Sequence, residues 1–144
     1  MKKKDIIMVL KDEHKIAKKD MDHVLKGKSK DFDKVYNELD IHMRGEEVVV
    51  YTIFKEVEKL KPKIIEAFEE HKHAKMILEE LKTMDMDNEE FKPKLKVLSE
   101  MVKHHVDEEE QDLFPDARKD FDKQKLQIIA DDYIRFKEEE LQNS

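Results

Sequence analysis

The sequence predicts an all-α fold: an up-down-up-down antiparallel four-helix bundle with a short additional C-terminal helix. Three observations carry that expectation. Apolar residues recur at three- and four-residue spacing along nearly the whole chain, the period of helices that bury one face. Of 144 residues, 45% are charged while only two are Gly and three are Pro, which leaves little turn material for a β-fold. The breaks in the apolar pattern are short, so successive helices must fold back on one another.

The first stripe is Ile7, Leu10, His14, Ala17, Met21 and Val24. Gly27-Lys28-Ser29-Lys30 interrupts it, a helix stop followed by a capping candidate. The second stripe runs Phe32, Val35, Leu39, His42, Glu46, Val49, Ile53, Val57 and Leu60, and ends near Lys61-Pro62. The third comprises Ile64, Ala67, His71, Ala74, Leu78 and Leu81, with Met84 to Asn88 as its turn. The fourth comprises Phe91, Leu95, Leu98, Val102, His105, Glu109 and Leu113, closed by Phe114-Pro115. Leu126, Ile129, Tyr133 and Phe136 form a fifth, shorter stripe expected to pack across the bundle. The expected organisation is one domain over residues 1–144, with the bundle over about 3–114 and the last helix over about 122–141.

Charge and composition exclude several functions. A formal charge of −7 argues against a nucleic-acid partner, which needs a basic surface. Without Cys there are no disulfides, thiolate metal sites or cysteine nucleophiles. The start, Met1-Lys2-Lys3-Lys4-Asp5, is basic but is followed by no apolar signal core. No apolar run approaches the ~18 residues a membrane span needs. The default expectation is a cytoplasmic protein with no membrane contact. There is no His-Glu-x-x-His and no Gly-rich phosphate loop, which sets aside two enzyme classes.

The chemistry lies in a repeat. Glu13-His14 precedes His42-Met43-Arg44-Gly45-Glu46-Glu47, and Glu70-His71 precedes His105-Val106-Asp107-Glu108-Glu109-Glu110. Residues i and i+4 share a helix face, so each His-x-x-x-Glu pair can address one object. His14, His42, Glu46, His71, His105 and Glu109 all fall in core-facing stripes, where Leu or Val is expected. Polar groups there are costly unless something satisfies them, and a shared metal does so for all six. Four imidazoles and two carboxylates suit a transition metal of mixed N/O preference, iron above all.

The spacing also puts these residues at one level. In a helical hairpin, residues equidistant from the turn face each other. His14 and His42 are centred on position 28, and His71 and His105 on position 88, each inside a predicted turn. Every ligand then lies about 14–17 residues from its turn, ~21–26 Å along the helix. Glu46 and His71 are centred near Glu58, a few residues short of Pro62, a looser agreement.

These residues resemble the hemerythrin-like family, the HHE cation-binding domains, over residues 5–115. The strongest marks are the two His-x-x-x-Glu-Glu units, the second running into Leu113-Phe114-Pro115. Glu70-His71 followed by Leu78-Glu79-Glu80-Leu81 is similar to the family's third-helix signature. The resemblance implies a four-helix bundle around two non-haem Fe ions, with room for an oxo or hydroxo bridge. It implies terminal ligands at His14, His42, His71 and His105, and bridging carboxylates at Glu46 and Glu109. Oxygen-carrying hemerythrins place a further His four residues after the first on the third helix, where this chain has Lys75. Water, Glu47 or Glu110 is left to complete the coordination. Glu13 and Glu70 are weaker candidates for orienting a ligand histidine, because their own helix can point them elsewhere.

The first expectation is therefore a binding protein rather than an enzyme, with O2 or a related small molecule such as NO or peroxide as its ligand. Its roles would be sensing, storage or detoxification. A di-iron peroxidase-like enzyme is the second reading. A metal-stabilised regulatory bundle is the third, with an exposed fifth helix over 122–141 as its docking element. The off-stripe pair His104 and Glu108 reads as an exposed helix pair, and Glu70-x-x-His73 lacks the second unit that a ferritin-type site requires.

Overall fold

A computed structural model describes residues 3–143; Met1 and Lys2 of the basic start, and Ser144 at the end of the expected domain, lie outside the described residues. Every regular element among the described residues is helical. The long elements are α1 (Ile6–Leu25), α2 (Phe32–Gly45), α4 (Lys61–Lys82), α5 (Phe91–Glu108) and α7 (Lys123–Gln142). α3 (Tyr51–Phe54) and α6 (Phe114–Asp120) are short continuations of α2 and α5.

Local chemistry sets the ends. The side chains of Asp5, Asp31 and Asp122 accept from the backbone N–H of Met8, Lys34 and Lys125, capping α1, α2 and α7. α1 stops where Gly27 takes a left-handed φ of +73°. There Lys28 N–H bonds His23 O at 2.8 Å and Gly27 N–H bonds Val24 O at 3.1 Å, a Schellman stop. Pro62 opens α4 rather than closing the second helix, since a first-turn residue needs no N–H.

α1 packs on α2, α5 and α7, and α4 packs on α2 and α5. Cross-helix pairs fix the register: Asp20 with Lys34 and Glu13 with His42 between α1 and α2; Glu80 with Lys94 and Glu70 with His105 between α4 and α5. Two apolar clusters result. One gathers Ile6, Leu10, Phe54, Leu60 and Ile64 with Leu126, Ile129 and Tyr133 of α7; the other gathers Met21, Phe32, Leu39, Leu78, Phe91 and Leu98. His14, His42, Glu46, His71, His105 and Glu109, all at most 9% exposed, belong to neither cluster.

Two features depart from the sequence expectation and share a cause. Glu46–Val50 (π1) and Glu109–Leu113 (π2) are π-helical turns, with i→i+5 bonds in place of i→i+4. A π-turn advances the buried face by one residue. Val50, Tyr51 and Phe54 are therefore buried, whereas the expected Val49, Ile53 and Val57 are only half-buried. The helix also restarts at Phe114, so Pro115 sits in a first turn and the chain stays helical to Asp120 instead of closing. The second helix likewise ends at Phe54, well before Lys61.

The fifth helix is a further correction. Its face of Leu126, Ile129, Ala130 and Tyr133 is buried in the first apolar cluster, so that face is not a docking surface. Gly45 shows how closely α7 approaches: a Cβ added there would stand 2.5 Å from Tyr133 Cε1. Gly45→Ala is expected to cost about 1–3 kcal/mol of stability through overpacking, read as a lower midpoint in denaturant unfolding. An unchanged midpoint would mean that α7 does not press on the α2–π1 junction.

Candidate metal centre

Each candidate histidine is held at Nδ1 by a carboxylate. Nδ1 of His42 bonds Glu13 Oε1 at 2.8 Å, that of His71 bonds Glu47 Oε2 at 2.7 Å, that of His105 bonds Glu70 Oε1 at 2.7 Å, and that of His14 bonds Glu110 Oε2 at 2.7 Å. A carboxylate only accepts, so Nδ1–H is the donor in all four bonds. That puts the proton of each neutral ring on Nδ1 and turns Nε2 toward the centre, the usual way an orienting carboxylate prepares a metal-ligating histidine.

The four supporting carboxylates pass round the bundle. α1 supports the histidine of α2, π1 that of α4, α4 that of α5, and π2 that of α1. Glu13 and Glu70 thus do orient histidines, though on the neighbouring helix. Glu47 and Glu110, considered above as further ligands, face Nδ1 on the outer side of their rings.

The Nε2 atoms turn inward onto Glu46 and Glu109. His14 Nε2 is 3.3 Å from Glu109 Oε1, and His105 Nε2 is 3.4 Å from the same oxygen. Glu46 Oε1 lies 3.4 Å from His42 Nε2 and 3.1 Å from His71 Nε2. Two donors about 2.1 Å from one ion, at angles near 90–110°, stand about 3.0–3.4 Å apart. The separations match a shared ion.

Two groups can be drawn, each able to hold a metal: His14, His42, Glu46 and Glu109; and Glu46, His71 and His105. Glu46 is common to both. His14 Nε2, His42 Nε2, Glu46 Oε2 and Glu109 Oε1 are all buried without a hydrogen-bond partner. Unsatisfied polar atoms rarely survive burial, and four converging lone pairs are what a cation satisfies. The donor set fits a metal.

Two tyrosines complete the site, beyond the six residues that the sequence pattern marks. Tyr51 Oη lies 2.8 Å from Glu109 Oε2 and 3.2 Å from Glu46 Oε1, so its single O–H proton is shared between the two carboxylates, with the shorter bond to Glu109. Tyr51 is five residues past Glu46, more than an α-turn but one π-turn, so π1 brings the two to one face. The repeat has Phe114 five residues past Glu109. Tyr51 stacks on His71 and Phe114 on His14, so the hydroxyl is present on one side only. From α7, Tyr133 Oη donates to Glu13 Oε1 at 2.5 Å and Lys137 also bonds Glu13. Lys75, at the position of the further histidine, turns instead to Asp40 and Glu79.

Charge is balanced within the cluster when protons take the place of metal. Burial opposes a charged ring at His42, but Glu46 and Glu13 outweigh it and push the imidazole up to about 10. Burial is likewise overcome at His71, raised chiefly by Glu46, and at His105, raised chiefly by Glu109. Burial also works against ionised Glu13, yet the hydrogen bond from His42 carries it down to about 2. Glu46 is held well below its ordinary value by His42 in spite of its burial, while burial and then the charge of Glu46 raise Glu109.

An all-helical chain around a buried His/Glu cluster able to hold metal is, by fold and site, a cation-binding helical domain. The hemerythrin HHE cation binding domain model matches residues 5–117, and the chain belongs to that family. Comparison with curated proteins and with solved structures gives no significant match to either. α7, which brings Tyr133 and Lys137 to Glu13, lies beyond the matched residues. No helix of the described residues is long and apolar enough to cross a membrane.

Proposed function

We propose that this chain is a di-iron protein that binds dioxygen or a related small molecule, NO or peroxide, for sensing, storage or detoxification. His14, His42, His71 and His105 are the terminal ligands, and Glu46 and Glu109 the bridging ones. The observation that carries this reading is the convergence of unpartnered Nε2 and carboxylate atoms at the separations a shared ion demands. The cross-helix pairs support an up-down-up-down arrangement of α1, α2, α4 and α5, within one domain that includes α7.

Iron at this position supplies a redox-active Lewis acid that can take up a small oxygen or nitrogen ligand. The residues do the rest. Glu13, Glu47, Glu70 and Glu110 hold the Nδ1 protons and thereby aim each Nε2. Tyr51 keeps the two bridging carboxylates in one orientation. A cavity of about 30 Å³ adjoins all four histidines. Ala17, Leu39, Met43, Ala74, Val102 and Val106 supply its apolar walls. Its size suits a diatomic molecule, and its walls offer water few partners.

Metal binding must displace protons. His42, raised to about 10, is protonated at pH 7 in the metal-free chain and must be neutral to ligate. Metal affinity is therefore expected to rise with pH from 6 towards 10. Titration calorimetry at pH 7, in buffers of different ionisation enthalpy, should register net proton release. Uptake of metal with no proton release would contradict ligation by His42.

A further inference from the structure

A third group of candidate ligands lies outside the buried centre, between α4 and α5. One donor atom each from Glu70, His104 and Glu108 lie within 4.8 Å of one another. His104 Nε2 is 2.7 Å from Glu108 Oε1 and 3.7 Å from Glu70 Oε2. The group faces solvent through the His104 side chain, which is 67% exposed. Glu70 also touches the buried centre, because its Oε1 accepts from His105 Nδ1–H at 2.7 Å.

A cavity of about 140 Å³ lies against two members of this group, Glu70 and Glu108. Glu66, Glu70, Glu108 and Asp112 line it, and His105 and Glu109 stand on its wall. Lys63 also lines it but is already occupied by Asp112 at 2.6 Å and Asp116 at 2.7 Å. Glu109 is only 2% exposed, and its Oε1 has no hydrogen-bond partner. The cavity thus runs from exposed carboxylates to a buried, unsatisfied one.

Other cavities offer a cation less. The one adjoining all four histidines is small and largely apolar in its walls. The one reaching His42 on the other side has only two carboxylates in its lining, Glu13 and Glu38, and Lys137 is bonded to Glu13. A hydrated divalent cation loses water most readily where carboxylate oxygens replace it one by one. A cleft in which one sign of charge predominates, here five carboxylates against Lys63, also concentrates the opposite ion and raises its on-rate.

We propose that the acidic cavity between α4 and α5 is the access route for divalent metal, with Glu70, His104 and Glu108 as an outer binding site that hands the ion to Glu109 and His105. This rests on the buried centre proposed above. Glu70 links the two stages, since one carboxylate touches both the outer histidine and the ring of the inner one.

The test is the loading rate of the metal-free full chain mixed with cobaltous ion, followed by stopped-flow visible absorption and by final cobalt content. A His104→Gln/Glu108→Gln double variant is expected to load roughly 10-fold more slowly yet reach the same content as the unaltered chain. Glu38→Gln, which alters the cavity beside Lys137, should load at the original rate. Glu108→Asp should recover part of the rate, because the charge returns. Loading of the double variant at the original rate, or slowing by Glu38→Gln instead, overturns the route while leaving the buried centre intact. A chain that takes up no cobalt overturns the buried centre, and the route with it.

Discussion

Replacing Glu46 with Ala is expected to strip metal from both positions of the centre, the largest effect of any single substitution here. Glu46 is the one residue common to both ligand groups, is fully buried, and lies within 3.4 Å of Nε2 of His42 and of His71. His14→Ala should be milder, because His14 belongs to one group only. His105→Ala and Glu109→Ala, each likewise in one group, should lower metal content to a similar degree as His14→Ala, whereas His104→Ala and Glu108→Ala should leave the content at equilibrium unchanged. The measurement is metal per chain after saturation and desalting. Glu46→Ala retaining a full complement would mean that Glu46 bridges nothing.

Removing metal should cost a large share of stability without dismantling the fold. A ligand present at about 1,000 times its Kd adds about 4 kcal/mol, so chelation should lower the thermal midpoint by about 10 °C. The helices should persist, because the two apolar clusters either side of the centre owe nothing to metal. The metal-free chain should also depend on pH in a defined direction. His42 titrates at about 10 when folded, above its ordinary 6.5. Its contribution is fully present below pH 6.5 and is lost as pH rises through about 10. The chelated chain is therefore expected to melt lower at pH 10 than at pH 7. A melting curve that chelation leaves unchanged would count against any metal in the centre.

The six polar residues of the centre were legible in the sequence because they violate a pattern. Each occupies a helical stripe position that an apolar residue should hold, and the repeat ties the violations together. What α-helical periodicity could not register was a change of helix type. π1 moves the buried face by one residue, so Tyr51 fell off the expected stripe although it binds both central carboxylates. A signal was present: an aromatic residue follows each central glutamate at five residues, Tyr51 after Glu46 and Phe114 after Glu109.

Gly45 carried another unread signal. A glycine inside a helical segment marks a close approach, here by Tyr133. Other contacts were beyond sequence periodicity altogether. Glu13 supports His42 rather than its neighbour His14, and Tyr133 reaches Glu13 across 120 positions of chain. Such partners depend on which helices become neighbours and on the rotation of each. Pro115 was read as a stop because its place in a first turn depends on the π-turn before it.

The most direct test of the centre is metal content by mass spectrometry on untagged protein, together with its absorption spectrum in air. Close to two irons per chain are expected, with charge-transfer bands in the near ultraviolet. No iron after anaerobic reconstitution, or a single zinc in its place, would contradict a di-iron centre.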